Sequence, residues 1–554
     1  MDHYNYKRRE SQEVKIGNIR IGGSNEIALQ SMTNTSTMDT QASVSQIKRI
    51  ADAGAHIVRL TAQGERESRN LKNIKEQLHI DGYHIPLVAD IHFNPKAAFA
   101  AAEEVEKVRI NPGNFVDPGR TFKTIDYSEE EYQHELNRLR DKLVPFYELC
   151  RNNNVAVRIG VNHGSLSDRI MSRYGDTPAG MVESAMEFLR IAKDIDFKNI
   201  VLSIKASNTR IMVETVRLLV ETMNKENMNF PLHLGVTEAG DAEDGRIKSA
   251  VGIGTLLSEG IGDTIRVSLS EDPANEIPVA SELVEYITSR KNAPKIDNCE
   301  NLTALSHPQK KTIPIVIVTG DMKEFDKDAI PDYTTTEQMF TIDYDKIKDV
   351  NLDTLNKNPD KIIIISVEHP NPVGAAKHAV DYIRSKGLAN PVIINFHYSA
   401  NLQPWQVIVR ASADYGPLLI DRYIDGLMID APSLTKNENT RLAFGILQGS
   451  RSRITKTEYI ACPGCGRTLF ELSPTLKKIK EATNHLKGLK IGVMGCIVNG
   501  PGEMADADYG YVGAGTGKIS LYKGKECVMK NLPQEEAVDR LIDILKQDGK
   551  WIEK

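Results

Sequence analysis

The sequence predicts an α/β protein whose first half is a (β/α)8 TIM barrel, followed by an inserted α/β domain and a small C-terminal α/β domain. Between residues 27 and 270, short apolar runs alternate with stretches of helical periodicity, the pattern of a parallel sheet. This span is close to the ~250 residues typical of such barrels. Three cysteines in two Gly- and Pro-rich motifs near the end of the chain indicate a separate unit. We expect domain boundaries at 1–289, 290–445 and 446–554.

Eight apolar runs predict the barrel strands, and each has the length of a buried strand. They are Ile27–Met32, His56–Thr61, Pro86–His92, Lys107–Asn111, Ala156–Asn162, Ile200–Lys205, Leu232–Thr237 and Thr264–Ser270. The stretches between them repeat apolar residues at helical spacing, as from Met212 to Met223. The first strand is not followed by the Gly-rich turn that is usual in a doubly wound sheet. The pattern therefore favours a closed barrel.

Five of the predicted strands carry a cation between aliphatic or small neighbours. These cations are Arg59, Arg109, Arg158, Lys205 and Arg266. Because side chains alternate across a strand, all five point into the barrel if their aliphatic neighbours face the outer helices. An isolated buried cation costs several kcal/mol, and Asp90 is the clearest acidic residue on the inner face.

A polyanionic ligand such as a diphosphate would supply the missing negative charge, since arginine binds phosphate oxygens in bidentate geometry. A single arginine in a strand is more often paired with a carboxylate at the barrel rim. Repetition in five strands favours a phosphate site. Asn162, Ser268 and Ser270 have the same inward parity and suit hydrogen bonds to a ligand.

Three further residues at strand ends are candidates for proton transfer, because catalytic groups of such barrels lie at the C-terminal ends of the strands. Asp90 and His92 end the third strand, and Glu238 follows the seventh in a Gly-bounded loop. For Asp90 and His92, a structural hydrogen-bonding role explains the pattern equally well. Glu238 is the stronger candidate.

The middle of the chain predicts a second α/β unit resembling a partial barrel. Residues 290–311 are polar and form a predicted linker. Strand-like runs follow at Ile313–Thr319, Lys361–Val367, Pro391–Tyr398 and Gly426–Ala431, with helices between them. None of these runs contains the Val-Arg-Ile pattern, so we expect a structural or spacing role.

The C-terminal domain contains Cys462-Pro-Gly-Cys465 and, after a predicted strand at Lys490–Met494, Cys496 in a loop rich in Gly and Pro. A helix is predicted from Pro474 to Leu486, two strands between Lys518 and Met529, and a last helix from Pro533 to Lys546. Cys527 lies within one of these strands and is predicted to be a buried thiol, not a ligand.

Three interpretations compete for the cysteine triad. Cys-x-x-Cys alone is typical of a zinc knuckle or a redox dithiol. The dithiol leaves Cys496 unexplained, and a closed zinc site lacks a fourth thiolate or histidine nearby. A [4Fe-4S] cluster with three cysteines and one carboxylate, most naturally Glu503, uses every feature and leaves one iron weakly held.

Composition excludes several functional classes. With 69 basic and 75 acidic residues, the chain has no charge excess that would attract nucleic acid or anionic lipid. The N-terminus lacks the apolar core of a signal peptide, and no apolar run approaches the ~18 residues of a membrane helix. We therefore expect a cytoplasmic protein without membrane or nucleic-acid partners. Six unevenly spaced cysteines suit metal or redox use.

Several motifs resemble one family closely, and they cover both ends of the chain. They are Gln30-Ser-Met-Thr-Asn-Thr, Val88-Ala-Asp-Ile-His-Phe, Val108-Arg-Ile-Asn-Pro-Gly-Asn, Arg158-Ile-Gly-Val-Asn-His-Gly-Ser, Val236-Thr-Glu-Ala-Gly, Arg266-Val-Ser-Leu-Ser, Cys462-Pro-Gly-Cys and Met494-Gly-Cys-Ile-Val-Asn-Gly-Pro-Gly-Glu. The chain resembles the 4-hydroxy-3-methylbut-2-en-1-yl diphosphate synthases of the non-mevalonate isoprenoid pathway. Its middle segment departs from the short bacterial form and resembles the three-domain, plant-like variant.

This resemblance implies an iron-sulfur oxidoreductase. It would reductively open 2-C-methyl-D-erythritol 2,4-cyclodiphosphate, with loss of water, to 4-hydroxy-3-methylbut-2-enyl diphosphate by two one-electron transfers. Ferredoxin or flavodoxin would donate the electrons, directly or through an NADPH-dependent reductase. The implied phosphate ligands are Arg59, Arg109, Arg158, Lys205, Arg266, Ser268 and Ser270, with Asn162 nearby; Glu238 would deliver a proton; and Cys462, Cys465, Cys496 and Glu503 would hold a [4Fe-4S] cluster.

In the short form of the family, the barrel and the cluster of one active site are expected to come from two subunits of a homodimer. We hypothesise that the inserted segment here spaces the domains so that one chain closes on itself. The alternative function is a zinc-stabilised barrel protein that binds a phosphorylated ligand without redox chemistry. A nucleic-acid-binding zinc module is a weaker third interpretation, because the cysteine domain has no basic and aromatic stripe.

Overall fold

A computed structural model describes residues 3–117, 125–240, 242–299, 313–337, 339–497, 500–504 and 506–553, without the side chains of residues 353, 354, 501 and 503. The chain divides into two compact units. The first comprises Met1–Arg9, Arg246–Ile261 and Glu282–Thr455, and the second comprises Glu10–Gly245, Gly262–Ser281 and Lys456–Lys554. The second unit therefore holds both the barrel sheet and the cysteine-bearing sheet. Most of the predicted linker, from residue 300 onward, lies outside the described residues.

The barrel is an eight-stranded parallel sheet preceded by a short antiparallel hairpin. The hairpin strands are β1 (Val14–Ile16) and β2 (Ile19–Ile21), and the barrel strands are β3 (Ala28–Met32), β4 (Ile57–Ala62), β5 (Leu87–Ile91), β6 (Lys107–Ile110), β7 (Ala156–Asn162), β8 (Ile200–Lys205), β9 (His233–Leu234) and β10 (Thr264–Ile265). The spatial order is β8-β7-β6-β5-β4-β3-β10-β9, and a bridge between Leu202 and Leu232 nearly closes the ring. The predicted TIM barrel is confirmed, although its last two strands are shorter than predicted.

Helices follow the barrel strands, and most start at a capping side chain. They are α1 (Thr40–Asp52), α2 (Glu65–Ile80), α3 (Pro95–Ala101), α4 (Pro112–Phe115), α5 (Glu129–Asn152), α6 (Asp168–Tyr174), α7 (Pro178–Asp194), α8 (Thr209–Lys225), α9 (Ala242–Ser258) and α10 (Glu276–Thr288). Ser128 forms a capping box with Glu131 at the start of α5, and the Asn208 side chain accepts from the first turn of α8. Such caps satisfy amide groups that the helix leaves free.

The hairpin β1–β2 closes the N-terminal end of the barrel, and the sequence pattern did not reveal it. Val14, Ile16 and Ile21 are buried in one apolar cluster with the inward side chains of Ile57 and Val88. This apolar plug leaves the polar part of the interior to the C-terminal ends of the strands. That is the end at which barrels of this class bind their ligands.

The first unit contains a second parallel sheet with the strand order of an opened barrel. Its strands are β11 (Ile315–Val318), β12 (Tyr333–Thr334), β13 (Phe340–Asp343), β14 (Ile363–Val367), β15 (Val392–His397) and β16 (Gly426–Asp430), and its helices are α11 (Asp353–Asn356), α12 (Pro372–Ser385), α13 (Pro404–Ile420) and α14 (Lys436–Gly449). The order β12-β11-β16-β15-β14-β13 is circular, with its break between β12 and β13. The predicted second α/β unit is confirmed, and β12 and β13 are additional strands.

The cysteine-bearing sheet has two parallel and two antiparallel pairings. Its strands are β17 (Glu458–Ala461), β18 (Lys490–Met494), β19 (Tyr509–Gly515), β20 (Lys518–Lys523) and β21 (Glu526–Pro533), and its helices are α15 (Leu472–Thr483), α16 (Gly500–Glu503) and α17 (Gln534–Gln547). β18 has the predicted bounds, whereas β17 and β19 were not predicted. In the described part of the chain, no helix has both the length and the apolar content needed to span a bilayer.

Candidate active site

All five predicted cations are buried and line one cavity at the C-terminal end of the barrel strands. The strand register aligns Asp90 with Arg109 and Arg109 with Arg158, so three charged side chains stand side by side on β5, β6 and β7. This arrangement follows from the inward parity of the Val-Arg-Ile runs.

Two of the five cations have carboxylate partners. Arg109 donates to Asp90 at 3.0 Å, and its other terminal nitrogen donates to Asn162 at 2.9 Å. Arg266 forms a bidentate pair with Glu276, at 3.1 and 2.9 Å. These pairs compensate part of the burial cost.

The other three cations have no carboxylate within ion-pair distance among the described residues. Arg59 donates only to the sulfur of Met32, at 3.0 and 2.8 Å. Arg158 is 1% exposed, and its Nε and Nη1 atoms have no hydrogen-bond partner in the described part of the protein. Burial, together with the neighbouring arginines, lowers the pKa of Lys205 well below its ordinary value. Among the described residues, the cavity has more cationic than acidic side chains, and a bound polyanion would offset the repulsion among them.

Two glycines provide the space in which these cations lie. A Cβ at Gly160 would stand 2.5 Å from Nε of Arg109, and one at Gly235 would stand 3.0 Å from Nζ of Lys205. A side chain at either position would displace a cation, so glycine at both positions leaves the room that Arg109 and Lys205 occupy.

Asp90 and His92 form one buried network with Arg109. The imidazole Nε2 of His92 lies 3.6 Å from Asp90 and contacts the Arg109 guanidinium. Burial and the charge of Arg109 lower the pKa of His92 to about 3, so the ring is neutral near pH 7. Although burial opposes it, the field of Arg59 and Arg109 holds the pKa of Asp90 well below its ordinary value. This environment favours a charge-balancing role for Asp90.

Glu238 lies in the cavity wall, on the loop after β9, and is 4% exposed. Its φ angle of 48° is in the left-handed region, which is strained for a residue with a side chain. Its negative charge also contributes, after burial, to raising the pKa of the Cys462 thiol. Glu238 is therefore the predicted acid-base residue that lines the same cavity as the cations and the cysteines.

The three predicted neutral ligands have different positions. Asn162 and Ser268 line the cavity. Ser270 is not among the lining residues; its hydroxyl donates to the carbonyl of Cys462 at 3.0 Å. The Ser270 side chain thus fixes the cysteine loop on the barrel.

Cys462, Cys465 and Cys496 line the same cavity, at the ends of β17 and β18. The amide of Gly495 donates to the sulfur of Cys462 at 3.2 Å, a contact typical of metal-bound thiolates. Burial raises the pKa of the Cys462 thiol, so its thiolate needs a compensating positive centre. Glu503 ends α16, but its side chain lies outside the described part of the structure.

The barrel rim and the cysteine loops are in direct contact within the second unit. Ala239 and Ala461 form a parallel bridge. Gly164 has a φ of 79°, and a Cβ there would stand 2.1 Å from the carbonyl oxygen of Gly502. Residues of the barrel rim and of the cysteine loops together line one cavity.

Three residues of this site escaped the sequence analysis. Arg467 lines the cavity from the cysteine loop and lies 3.5 Å from Asp90. Glu276 neutralises Arg266, and Met32 contacts Arg59. Of these three residues, only Arg467 could have been identified from the sequence, since it directly follows the motif Cys462-Pro-Gly-Cys-Gly.

The donor set fits an iron-sulfur group, since three thiols in Gly-rich loops line one cavity and an amide donates to one of their sulfurs. Within the described residues, no three His, Cys, Asp or Glu side chains are placed to hold a single metal ion. The fit therefore rests on the cysteine cavity.

Comparison with known proteins identifies the family of both ends of the chain. Residues 11–281 match the GcpE TIM-barrel domain, and residues 458–547 match the GcpE protein C-terminal domain. A 4-hydroxy-3-methylbut-2-en-1-yl diphosphate synthase (flavodoxin) from Bacteroides fragilis is 52% identical, over 100% of this chain and 98% of the relative.

Two more distant relatives bear the same name. The protein from Akkermansia muciniphila is 43% identical over 99% of this chain and 98% of its own length, and that from Protochlamydia amoebophila is 41% identical over 99% and 97%. The similarity includes the central segment that the two family domains leave uncovered. The chain therefore belongs to the GcpE family.

Proposed function

We propose that this chain is a 4-hydroxy-3-methylbut-2-en-1-yl diphosphate synthase of the non-mevalonate isoprenoid pathway. Its substrate would be 2-C-methyl-D-erythritol 2,4-cyclodiphosphate, which takes up two electrons and two protons and loses one oxygen as water on opening to 4-hydroxy-3-methylbut-2-enyl diphosphate. One observation carries the proposal: a single cavity is lined both by cations that have no carboxylate partner among the described residues and by the three motif cysteines. Full-length relatives with this name support it.

The cations would bind and orient the diphosphate. Arg59, Arg158 and Lys205 offer donors that no carboxylate occupies in the described part of the chain, whereas Arg109 and Arg266 are held in place by Asp90 and Glu276. The Asn162 amide nitrogen and the Ser268 hydroxyl would donate to the same oxygens. Preorganised donors of this kind stabilise charge in a cavity from which water is excluded.

Cys462, Cys465 and Cys496, with Glu503 as a weaker fourth ligand, would hold a [4Fe-4S] cluster. When bound, the cluster would supply single electrons to the substrate. Glu238 would hold a proton that leaves with the departing oxygen, because it lines the same cavity as the cations and the cysteines. Asp90 and His92 stay as weaker candidates for proton transfer.

Flavodoxin is the electron donor that the relatives' names indicate, and ferredoxin is the alternative. We further propose that the barrel and the cysteines of one chain form one active site, and that the domain boundaries at 1–289, 290–445 and 446–554 describe its three parts. The contacts between Ala239 and Ala461 and between Ser270 and Cys462 support closure within one chain. We expect the protein in the cytoplasm, and a homodimer remains compatible with the proposal.

Anaerobic purification followed by iron, sulfide and zinc analysis tests the proposed cofactor. We expect about four irons and four sulfides per chain, with visible absorption, and reductive opening of the cyclodiphosphate. Stoichiometric zinc without sulfide would instead support the phosphate-binding alternative. Replacing Glu503 by cysteine should keep the cluster and impair turnover, because a fourth thiolate would hold the iron that substrate must reach.

Subunit mixing tests closure within one chain. Arg158→Ala disables the barrel and Cys496→Ser disables the cluster, so each variant alone should be inactive. When subunits exchange without unfolding, the mixture should also stay inactive if the barrel and the cysteines of each active site belong to one chain. Restored activity would show that the parts come from different chains.

A further inference from the structure

A buried lysine lies below the proposed anion site and takes no part in the mechanism above. Lys107 is on β6, two residues before Arg109, and is fully buried. In the strand register, its neighbours are Val88 and Ala156, both members of the apolar plug at the N-terminal end of the barrel. Lys107 therefore stands between the plug and the arginines.

The Lys107 amine has one hydrogen bond and no carboxylate. Its Nζ donates to Oε1 of Gln30 at 3.2 Å, and no carboxylate lies within ion-pair distance among the described residues. Burial first, and then the charges of Arg158 and Arg59, lower the pKa of Lys107 well below its ordinary value. The same arginines that face the cavity thus act on Lys107 from above.

This arrangement is costly for folding. A buried cation without a partner loses its hydration, and each further cation nearby adds repulsion. An apolar side chain at position 107 would match the plug residues Val88 and Ala156 beside it. Structural need therefore does not explain a lysine here, whereas a polyanion bound above it would.

We propose that Lys107 is a positioning residue of the diphosphate site, whose charge strengthens anion binding through Arg158 and Arg59 without touching the ligand. This inference rests on the proposed function, because it requires a diphosphate in the barrel. A bound diphosphate would offset the repulsion among the cations. Its negative charge would also attract the protonated Lys107 amine. In the free protein, burial and the nearby arginines favour the neutral amine of Lys107, whereas a bound polyanion would favour the protonated amine.

Two substitutions test the proposal in the cluster-containing enzyme, with inorganic pyrophosphate as the probe in calorimetric titrations. Lys107→Met removes the charge, and Gln30→Glu neutralises it with a carboxylate of the same shape. We expect both variants to bind pyrophosphate about tenfold more weakly and to raise KM similarly, with kcat nearly unchanged. We expect neither to lower the melting temperature, because neither leaves a buried amine without a carboxylate partner.

Ser203→Ala is the matched control. Ser203 is a buried inward residue of β8 whose hydroxyl has no partner in the described structure, and its loss changes no charge. Its pyrophosphate affinity should equal that of the wild type. Unchanged affinity in both charge variants, or a clearly lower melting temperature with unchanged affinity, would overturn the role of Lys107. Failure of the wild type to bind pyrophosphate would instead contradict the proposed function.

Discussion

The barrel and the central sheet share a topology but differ in the residues on one face. Both are parallel sheets whose strands follow a circular order, eight strands in the barrel and six in the central unit. The barrel interior contains Arg59, Arg158 and Lys205 without carboxylate partners among the described residues. The corresponding face of the central sheet contains the apolar cluster of Ile317, Ile364, Ile393 and Met428.

The polar residues of the central sheet are neutral or already paired. Asp430 accepts from the ring of His397 at 2.7 Å, and Asn395 lies 3.2 Å from the other ring nitrogen of His397. No comparable excess of cations occurs there among the described residues. The same fold can therefore be an anion site or a structural element, and the inward residue types decide which.

The largest effect is expected from removing a buried arginine of the barrel interior, since the central sheet has no comparable excess of cations among the described residues. Arg158→Met should lower kcat/KM at least about 1000-fold, because a buried arginine that binds phosphate is worth several kcal/mol. Its melting temperature should not fall, since the free protein loses an unpaired charge. Steady-state kinetics and thermal unfolding measure both effects.

Asn395→Leu is the matched change in the central sheet, at a buried inward position of β15. Its kcat/KM should match that of the wild type. If Asn395→Leu reduced activity as strongly as Arg158→Met, the proposed functional difference between the two sheets would be contradicted.

The second prediction concerns carboxylates at the ends of strands. Glu238→Gln should lower kcat about 100-fold while pyrophosphate still binds, because only the proton function is lost. Glu368→Gln changes a carboxylate directly after β14 in the central sheet, and it should leave kcat unchanged. A Glu238→Gln enzyme with wild-type turnover would remove Glu238 from the chemistry.

Much of the fold was predictable because local patterns specify it. The eight barrel strands follow from apolar runs of strand length, and the inward direction of the five cations follows from strand parity. The hairpin β1–β2 was not predictable, since two strands of three residues show no clear period. β19 is interrupted by Gly510, Gly513 and Gly515, which weaken the strand signal.

The site was predictable only where its chemistry is local. The cysteine motifs and the Val-Arg-Ile runs are visible in the sequence. The pairing of Arg266 with Glu276 and the position of Arg467 beside Asp90 depend on chain segments that meet only after folding. Strand β9 ends at Leu234, and the next residues, predicted to continue it, line the cavity as Val236 and Thr237.

A third prediction concerns the close approach of the barrel rim to the cysteine loops. Gly164→Ala should lower kcat/KM about tenfold, because the new Cβ would stand 2.1 Å from the Gly502 carbonyl and push the loops apart. Gly387 in the central unit has a similar φ of 77° with nothing within 4 Å of an added Cβ. Gly387→Ala should therefore cost about 1 kcal/mol of stability and no activity. Equal kinetics in the two variants would show that the contact at Gly164 is unimportant.

The smallest effect concerns the pH dependence of stability at two buried aspartates, one in each sheet-bearing unit. In the central unit, burial raises the pKa of Asp414 to about 6, although Arg290 and the hydroxyls of Tyr286 and Tyr398 oppose this. In the barrel, burial also opposes ionisation of Asp90, but the positive charges of Arg59 and Arg109 together outweigh burial and hold its pKa well below the usual value. The unfolded chain gives both groups a pKa of about 3.9.

The two aspartates should therefore change stability in opposite directions. The Asp90 contribution is present above pH ~4 and is lost as the pH falls below it, so the melting-temperature difference between wild type and Asp90→Asn should shrink toward pH 3. The folded state binds the Asp414 proton more tightly, so its contribution is lost as the pH rises from about 4 to 6. The difference between wild type and Asp414→Asn should shift by a few degrees with the opposite sign. Hydrogen exchange of peptides from β5 and α13 assigns each shift to its unit. If the melting-temperature difference from wild type changed with pH in the same way for both variants, the barrel cations would not dominate the electric field at Asp90.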